Sequence, residues 1–241
     1  MSAAAAWLAG EGPPVELIHG FGADRLSWAA TVPALAGACA LHAVELPGHG
    51  QAGAVPDPAT PDALARSVAE AVAPLGPMPV IGHSLGGAVA LHLAAQRPEL
   101  VTRLVLIAPA GWGRTLDATF LRGLPRAEDA DALQRLLERL VVQPRHIPPG
   151  LAAHLLTDLE ARREGLARIA EAVLAAPPPP VPPVPPAPDV PVTVIWGAED
   201  MVNPYDPARP LPELHLVEGA GHLPHVEKAA RVNRLIAEAL G

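Results

Sequence analysis

Cysteine, lysine and aromatic side chains are nearly missing from this chain of 241 residues. The single cysteine, Cys39, excludes an internal disulfide and fits a reducing compartment. Lys228 is the one lysine, the formal net charge is −8 and no basic cluster exists, so nucleic acid is not an expected partner. Aromatic residues make up 3% of the chain, too few to build a large flat binding wall. No apolar run is long enough to span a bilayer. The apolar stretch at 3–8 has no positive charge before it, so a signal peptide is not expected either. These absences leave the expectation of a cytoplasmic protein without membrane contact, as a monomer or homodimer.

Half of the residues are hydrophobic and 17% are charged, enough for a large core in one domain of ordinary size. Short apolar runs, partly β-branched, lie at 15–18, 41–46, 78–81, 104–107, 192–196 and 214–217 and read as strands. Helical spacing fills 62–74, 88–96 and 228–240. Strands alternating with helices predict an α/β fold, with a mostly parallel sheet covered by helices on both faces. The alternation breaks at 112–176, where two helical stretches, 129–142 and 150–175, read as an insertion and a candidate cap. Residues 177–191 carry ten prolines, which exclude helix and central strand and predict a stiff polyproline II connector. The core is thus read as 1–111 and 192–241, the cap as 112–176 and the connector as 177–191.

The chemistry centres on Gly82-His83-Ser84-Leu85-Gly86, between a strand-like and a helix-like run. A serine hydroxyl needs a base to take its proton and donors to stabilise the oxyanion that forms. Small residues two before and two after it let a strand–turn–helix bend tighten around it. With 21 glycines and 4 serines in the chain, chance supplies roughly 0.03 such matches. The plainer alternative is a Ser84 that only caps the helix. The unpaired amides of that helix place the Leu85 N–H as one oxyanion donor. The Phe21 N–H, in the loop His19-Gly20-Phe21-Gly22, is the candidate for the second. Of ten histidines, His222 has the setting of a base, after a late strand and a glycine-flanked loop. Asp200 follows the preceding strand as the orienting carboxylate, with Glu199 and Asp206 as alternates. His19 and His225 read as structural; His49 and His83 read as lining the site.

These pieces, with Pro47-Gly48-His49-Gly50, Trp196-Gly197-Ala198-Glu199-Asp200 and Gly219-Ala220-Gly221-His222, resemble the α/β-hydrolase superfamily. More narrowly, Leu106-Ile107-Ala108-Pro109-Ala110-Gly111 and Gly221-His222-Leu223-Pro224-His225-Val226-Glu227 resemble the hydrolase-fold domain of acetoin dehydrogenase dihydrolipoyl acetyltransferase-like proteins. The resemblance implies a small helical cap inserted after the sixth strand. It also carries over the roles of nucleophile, acid, base and oxyanion donors to Ser84, Asp200, His222, Phe21 and Leu85. His19, Gly20, Gly22, Gly82 and Gly86 then support the loops, and no metal or organic cofactor is needed. The implied activity is ester hydrolysis through an acyl-enzyme on a small-molecule ester of a small or aliphatic acid. The alternatives are an acyltransferase component, a thioester, lactone or carbon–carbon hydrolase, and a non-catalytic binding member. No lipoyl segment stands before residue 19, which favours a free-standing esterase. The chain departs from the family pattern at three places. The N-terminal hairpin is reduced to one short strand at most, the proline tract replaces a helix, and the helix between acid and base is squeezed into 204–212. A lone carboxylate, Glu16, sits in a strand that should be buried, where it is costly unless paired.

Overall fold

A computed structural model describes residues 3–176 and 190–241. All of the expected proline-rich connector except Val190 and Pro191 lies outside the described residues. Seven strands form one sheet: β1 (Ala4–Ala9), β2 (Pro14–Ile18), β3 (Ala40–Glu45), β4 (Met78–His83), β5 (Val101–Ile107), β6 (Val192–Gly197) and β7 (Leu214–Val217). Their order is β1-β3-β2-β4-β5-β6-β7. The apolar stretch at the N-terminus supplies β1, which pairs antiparallel with β3; every other pairing is parallel.

Alternating side chains of the central strands enter two separate cores, as a parallel sheet buried on both faces requires. Leu17, Ile81, Val105 and Ile195 meet Trp28 and the short helix α1 (Val32–Leu35) on one face, with Val232 and Ile236 of the closing helix α9 (Ala229–Leu240). Ile18, Val80, Leu104 and Trp196 point the other way, towards α2 (Pro61–Val72) and α3 (Leu85–Gln96). Helix α2 starts on matched signals: the Thr60 hydroxyl accepts the Ala63 N–H at 3.3 Å, Pro61 opens the first turn and Asp62 faces the positive helix end.

From β2 the chain steps to β3 on one side, then crosses back to lay β4 on the other side of β2. Loops leaving the C-terminal ends of β2 and β4 therefore part in opposite directions and open a crevice, the favoured ligand position of open α/β sheets.

Between β5 and β6 the described residues hold no strand, only α4 (Ala118–Gly123), α5 (Ala130–Leu137), α6 (Leu151–Leu159), α7 (Arg163–Ala175) and short turns of 3-10 helix. Asp117 and Asp129 start α4 and α5 by accepting backbone N–H groups at 2.8 and 2.7 Å. The expected helix at 150–175 is broken at Glu160–Arg162 into α6 and α7. The insertion follows the fifth strand in chain order rather than the sixth, because the single strand β1 stands where the family pattern has a hairpin. The helix expected at 204–212 is absent; that stretch is turns. Only a four-residue helix, α8 (Pro224–Glu227), precedes α9. No described helix is long and apolar enough to cross a membrane.

Glu16, in mid-β2, is fully buried, and neither carboxyl oxygen has a hydrogen-bond partner. Burial pushes its pKa from the ordinary 4.5 up to about 8, so the group is neutral at pH 7. The unfolded chain then releases this proton first, so stability present below pH 4.5 is lost as pH rises towards 8. By pH 7 the loss amounts to about 3 kcal/mol. Glu16→Gln lacks this titration. Urea unfolding at pH 5 and pH 8 should show wild type losing clearly more stability than the variant; parallel losses would exclude a neutral Glu16.

Candidate active site

Ser84 occupies the sharp turn from β4 into α3 with φ +53° and ψ −115°, a region that costs a residue with a side chain about 1–3 kcal/mol. The turn is held by its own backbone: the Ser84 N–H donates to the Ile107 carbonyl at 2.9 Å, and the Ser84 carbonyl accepts from Ala88 and Ala110 at 3.1 and 2.9 Å. The flanking glycines are needed for close approach. A Cβ at Gly82 would strike the backbone of Gly86 and Gly87, and one at Gly86 would overlap the Ile18 carbonyl of β2. Although Ser84 stands at the N-cap position, its side chain makes no capping bond. The hydroxyl turns to His222 instead, with Oγ 2.9 Å from Nε2.

His222 Nδ1 lies 2.7 Å from Asp200 Oδ2. A carboxylate only accepts, so Nδ1 carries the proton and Nε2 presents its lone pair to the hydroxyl. Asp200 Oδ1 is occupied by the Val202 and Asn203 N–H groups, each at 2.9 Å, which aims Oδ2 at the imidazole. All three residues are buried, each at most 8% exposed. Water is thus largely excluded, and the polar chain from carboxylate to hydroxyl is complete.

Three further groups hold the histidine. His83 Nε2 donates to the His222 carbonyl at 2.8 Å. Glu199, an alternate for the orienting carboxylate, instead accepts the Gly219 and Ala220 N–H groups at 3.2 and 3.1 Å. Glu227, buried at the end of α8, accepts the Gly221 N–H at 2.6 Å through Oε2. Its Oε1 takes the Val142 N–H at 2.9 Å and His146 Nδ1 at 3.1 Å, so one carboxylate ties the histidine loop to the helical insertion. The other alternate, Asp206, caps a local turn through the Ala208 N–H at 3.0 Å.

The His19–Gly22 loop lies against the Ser84 turn. A Cβ on Gly20 would press on the His83 ring and come within 3.4 Å of Ser84 Cβ. His19 Nε2 accepts the Leu46 N–H at 3.1 Å, and His49 Nε2 accepts the Gly22 N–H at 3.0 Å. Burial lowers the pKa of His19 and pushes that of His49 down to about 3, which keeps both rings neutral and able to accept. The Phe21 and Leu85 amides take no part in the hydrogen bonds holding these two loops. His225 is buried against Trp28 and His83, with ring centroids 5.2 and 4.7 Å away, and burial pushes its pKa down to about 3. Among the described residues no cluster of three or more His, Cys, Asp or Glu could hold a metal ion.

Sequence reasoning did not identify the work of Glu227 and His83. Each has its partner far away, 85 residues for Val142 and 139 for His222, and no local spacing signals such contacts. Glu227→Ala leaves the buried Gly221 N–H and the half-buried Val142 N–H without an acceptor. The expected cost is about 3 kcal/mol, a fall of roughly 6–12 °C in Tm; an unchanged Tm would show that the carboxylate does not tie these segments.

The chain is similar to several proteins of known name. It is 32% identical over 234 residues to the dihydrolipoyllysine-residue acetyltransferase component of the acetoin cleaving system of Pseudomonas putida, covering 94% of this chain and 63% of that protein. The chain therefore spans less than two thirds of that relative's length. It is 29% identical over 253 residues to the pimeloyl-[acyl-carrier protein] methyl ester esterase of Chromobacterium violaceum, covering 96% and 95% of the two chains. The solved enol-lactonase from Burkholderia xenovorans LB400 superposes with a TM-score of 0.81 at 25% identity, covering 99% of this chain and 96% of that one. Residues 17–235 match the profile of the alpha/beta hydrolase family, and the chain belongs to that family.

Proposed function

We propose that the protein is a serine hydrolase that cleaves carboxylic esters through an acyl-enzyme. The observation that carries this reading is the buried relay from Asp200 to His222 to Ser84, at 2.7 and 2.9 Å, ending on a strained turn. Ser84 Oγ attacks the ester carbonyl while His222 Nε2 takes the hydroxyl proton, and the imidazolium formed is stabilised by Asp200. The carbonyl oxygen becomes an oxyanion, received by the Phe21 and Leu85 N–H groups. On collapse, the bond to the alcohol oxygen breaks and His222 gives that oxygen its proton. Water then repeats the sequence on the acyl-enzyme: His222 takes a proton from the water, the acid is released and Ser84 regains its hydrogen. No step calls for a metal or an organic cofactor.

The 112–176 insertion acts as the cap over this site, and its leucines suit small or aliphatic acyl groups. The names of two similar proteins, a methyl ester esterase and an enol-lactonase, support carbon–oxygen ester cleavage. The similarity to an acetyltransferase component supports a second reading, in which a thiol instead of water takes the acyl group from Ser84.

A series of p-nitrophenyl esters of rising chain length reads both. Wild type should turn over the short members. Ser84→Ala should lose about 10⁴-fold or more in kcat, and Asp200→Asn on the order of 10⁴-fold. No turnover by wild type, or unchanged turnover by Ser84→Ala, overturns the hydrolase reading. Transfer to an added thiol that outruns hydrolysis favours the acyltransferase.

A further inference from the structure

The helical insertion braces both halves of the relay, at two separate places. Its opening segment packs on the loop after β6 that carries Asp200. There the Asp117 N–H donates to the Val202 carbonyl at 2.8 Å, and the Arg114 N–H to the Pro204 carbonyl at 2.7 Å. A Cβ on Gly113 would overlap the Asn203 side chain. Val202 and Asn203 are the residues whose own N–H groups fix Asp200 Oδ1. The segment just past α5 packs on the loop of the base. The Leu140 carbonyl accepts the N–H of Leu223, the neighbour of His222, at 3.2 Å. A Cβ on Gly221, on the other side of His222, would come within 2.9 Å of the same carbonyl.

One ion pair joins these two braces. Arg139, the residue before Leu140, directs Nε and Nη2 to Asp117 Oδ2 at 2.7 and 2.6 Å. The carboxylate is already fixed. Its side chain is 10% exposed, and Oδ1 accepts the Thr119 and Phe120 N–H groups at 2.8 and 3.3 Å where α4 begins. The Arg139 side chain is 44% exposed, and a pair so open to water adds little to overall stability. Its place matters more than its strength. The backbone of Asp117 holds the acid loop, and the residue after Arg139 holds the base loop. Other pairs lie differently: Arg122 gives both of its bonds, 2.8 and 2.9 Å, to Glu171 and so ties α4 to α7 within the insertion.

We propose that Arg139 and Asp117 are positioning residues for the reaction. Their pair fixes the acid loop and the base loop relative to each other and so keeps Asp200 Oδ2 aligned with His222 Nδ1. This role deepens the ester-hydrolase reading and rests on it. Both residues act through the loops rather than on the reacting atoms. With the pair broken, each loop keeps its own bonds to the insertion, but the two braces can shift separately. The contacts of 2.7 and 2.9 Å along the relay then lose their alignment. Such a displacement lowers the rate of the chemical step far more than it lowers substrate binding.

The test compares wild type with Arg139→Gln, with Asp117→Asn, which keeps an oxygen to start α4, and with the double variant, on p-nitrophenyl acetate. Each single variant should lose about 3- to 30-fold in kcat with KM nearly unchanged. The double variant should lose no more than the worse single one, as for residues that act as a pair. Arg139→Lys should recover part of the loss, and Arg122→Gln should keep the wild-type kcat. Tm should fall by no more than about 4 °C in Arg139→Gln. The spectroscopic counterpart needs no turnover: the downfield proton resonance of His222 Nδ1–H should broaden in Arg139→Gln and stay sharp in Arg122→Gln. A wild-type kcat in Arg139→Gln, a resonance that stays sharp there, or losses that multiply in the double variant overturn the positioning role. If wild type hydrolyses no ester, the hydrolase reading fails and the resonance alone decides whether the pair aligns the relay.

Discussion

The site depends on how closely the first turn of α3 approaches β2. Gly86 lies so near the Ile18 carbonyl that no Cβ fits between them, and Gly82 lies equally close to the same turn. That approach forces Ser84 into positive φ and lifts its hydroxyl out of the capping position and into the crevice. It also sets the His19–Gly22 loop against the same turn, where a Cβ on Gly86 would come within 2.5 Å of the His19 carbonyl. The strain has to be met elsewhere, and the fully buried central strands on both faces of the sheet supply the rigidity that holds it.

Around this fixed point the polar groups are arranged as ties between loops. Asp200 spends one oxygen on its own turn and one on His222; Glu199 and Glu227 fasten the backbone on either side of that histidine. His83, beside the serine, fastens its carbonyl. His222 is therefore positioned by His83 of β4, by Asp200 and Glu199 in the loop after β6, and by Glu227 of α8, which is itself tied to the helical insertion at Val142. Because Glu227 reaches both the histidine loop and Val142, a displacement of the insertion would be felt at His222.

Much of this was legible in the sequence, for identifiable reasons. The central strands are continuous apolar runs, which a doubly covered parallel sheet demands, and Ser84, Asp200 and His222 each follow such a run. The glycines around Ser84 announced a tight turn, but the capping alternative could be set aside only once the hydroxyl was seen to face His222. Helix α4 was missed because it is six residues long, too short for periodicity. The break between α6 and α7 was missed because Glu160–Arg162 carries neither glycine nor proline. Contacts that join distant segments, such as Glu227 to Val142 and His83 to His222, leave no local pattern. Glu16 was legible as an anomaly, but its neutral state follows from burial that only the packed sheet reveals.

The proposed nucleophile can be tested without knowing the natural substrate. A fluorophosphonate reacts with a serine whose hydroxyl is activated by a neighbouring base, and peptide mass spectrometry then locates the adduct among the four serines of the chain. A single adduct on Ser84, formed at a rate that collapses in His222→Ala, is the expected result. An adduct on Ser27 or Ser67, or labelling of Ser84 that is indifferent to His222, would contradict the relay on which the proposed function rests.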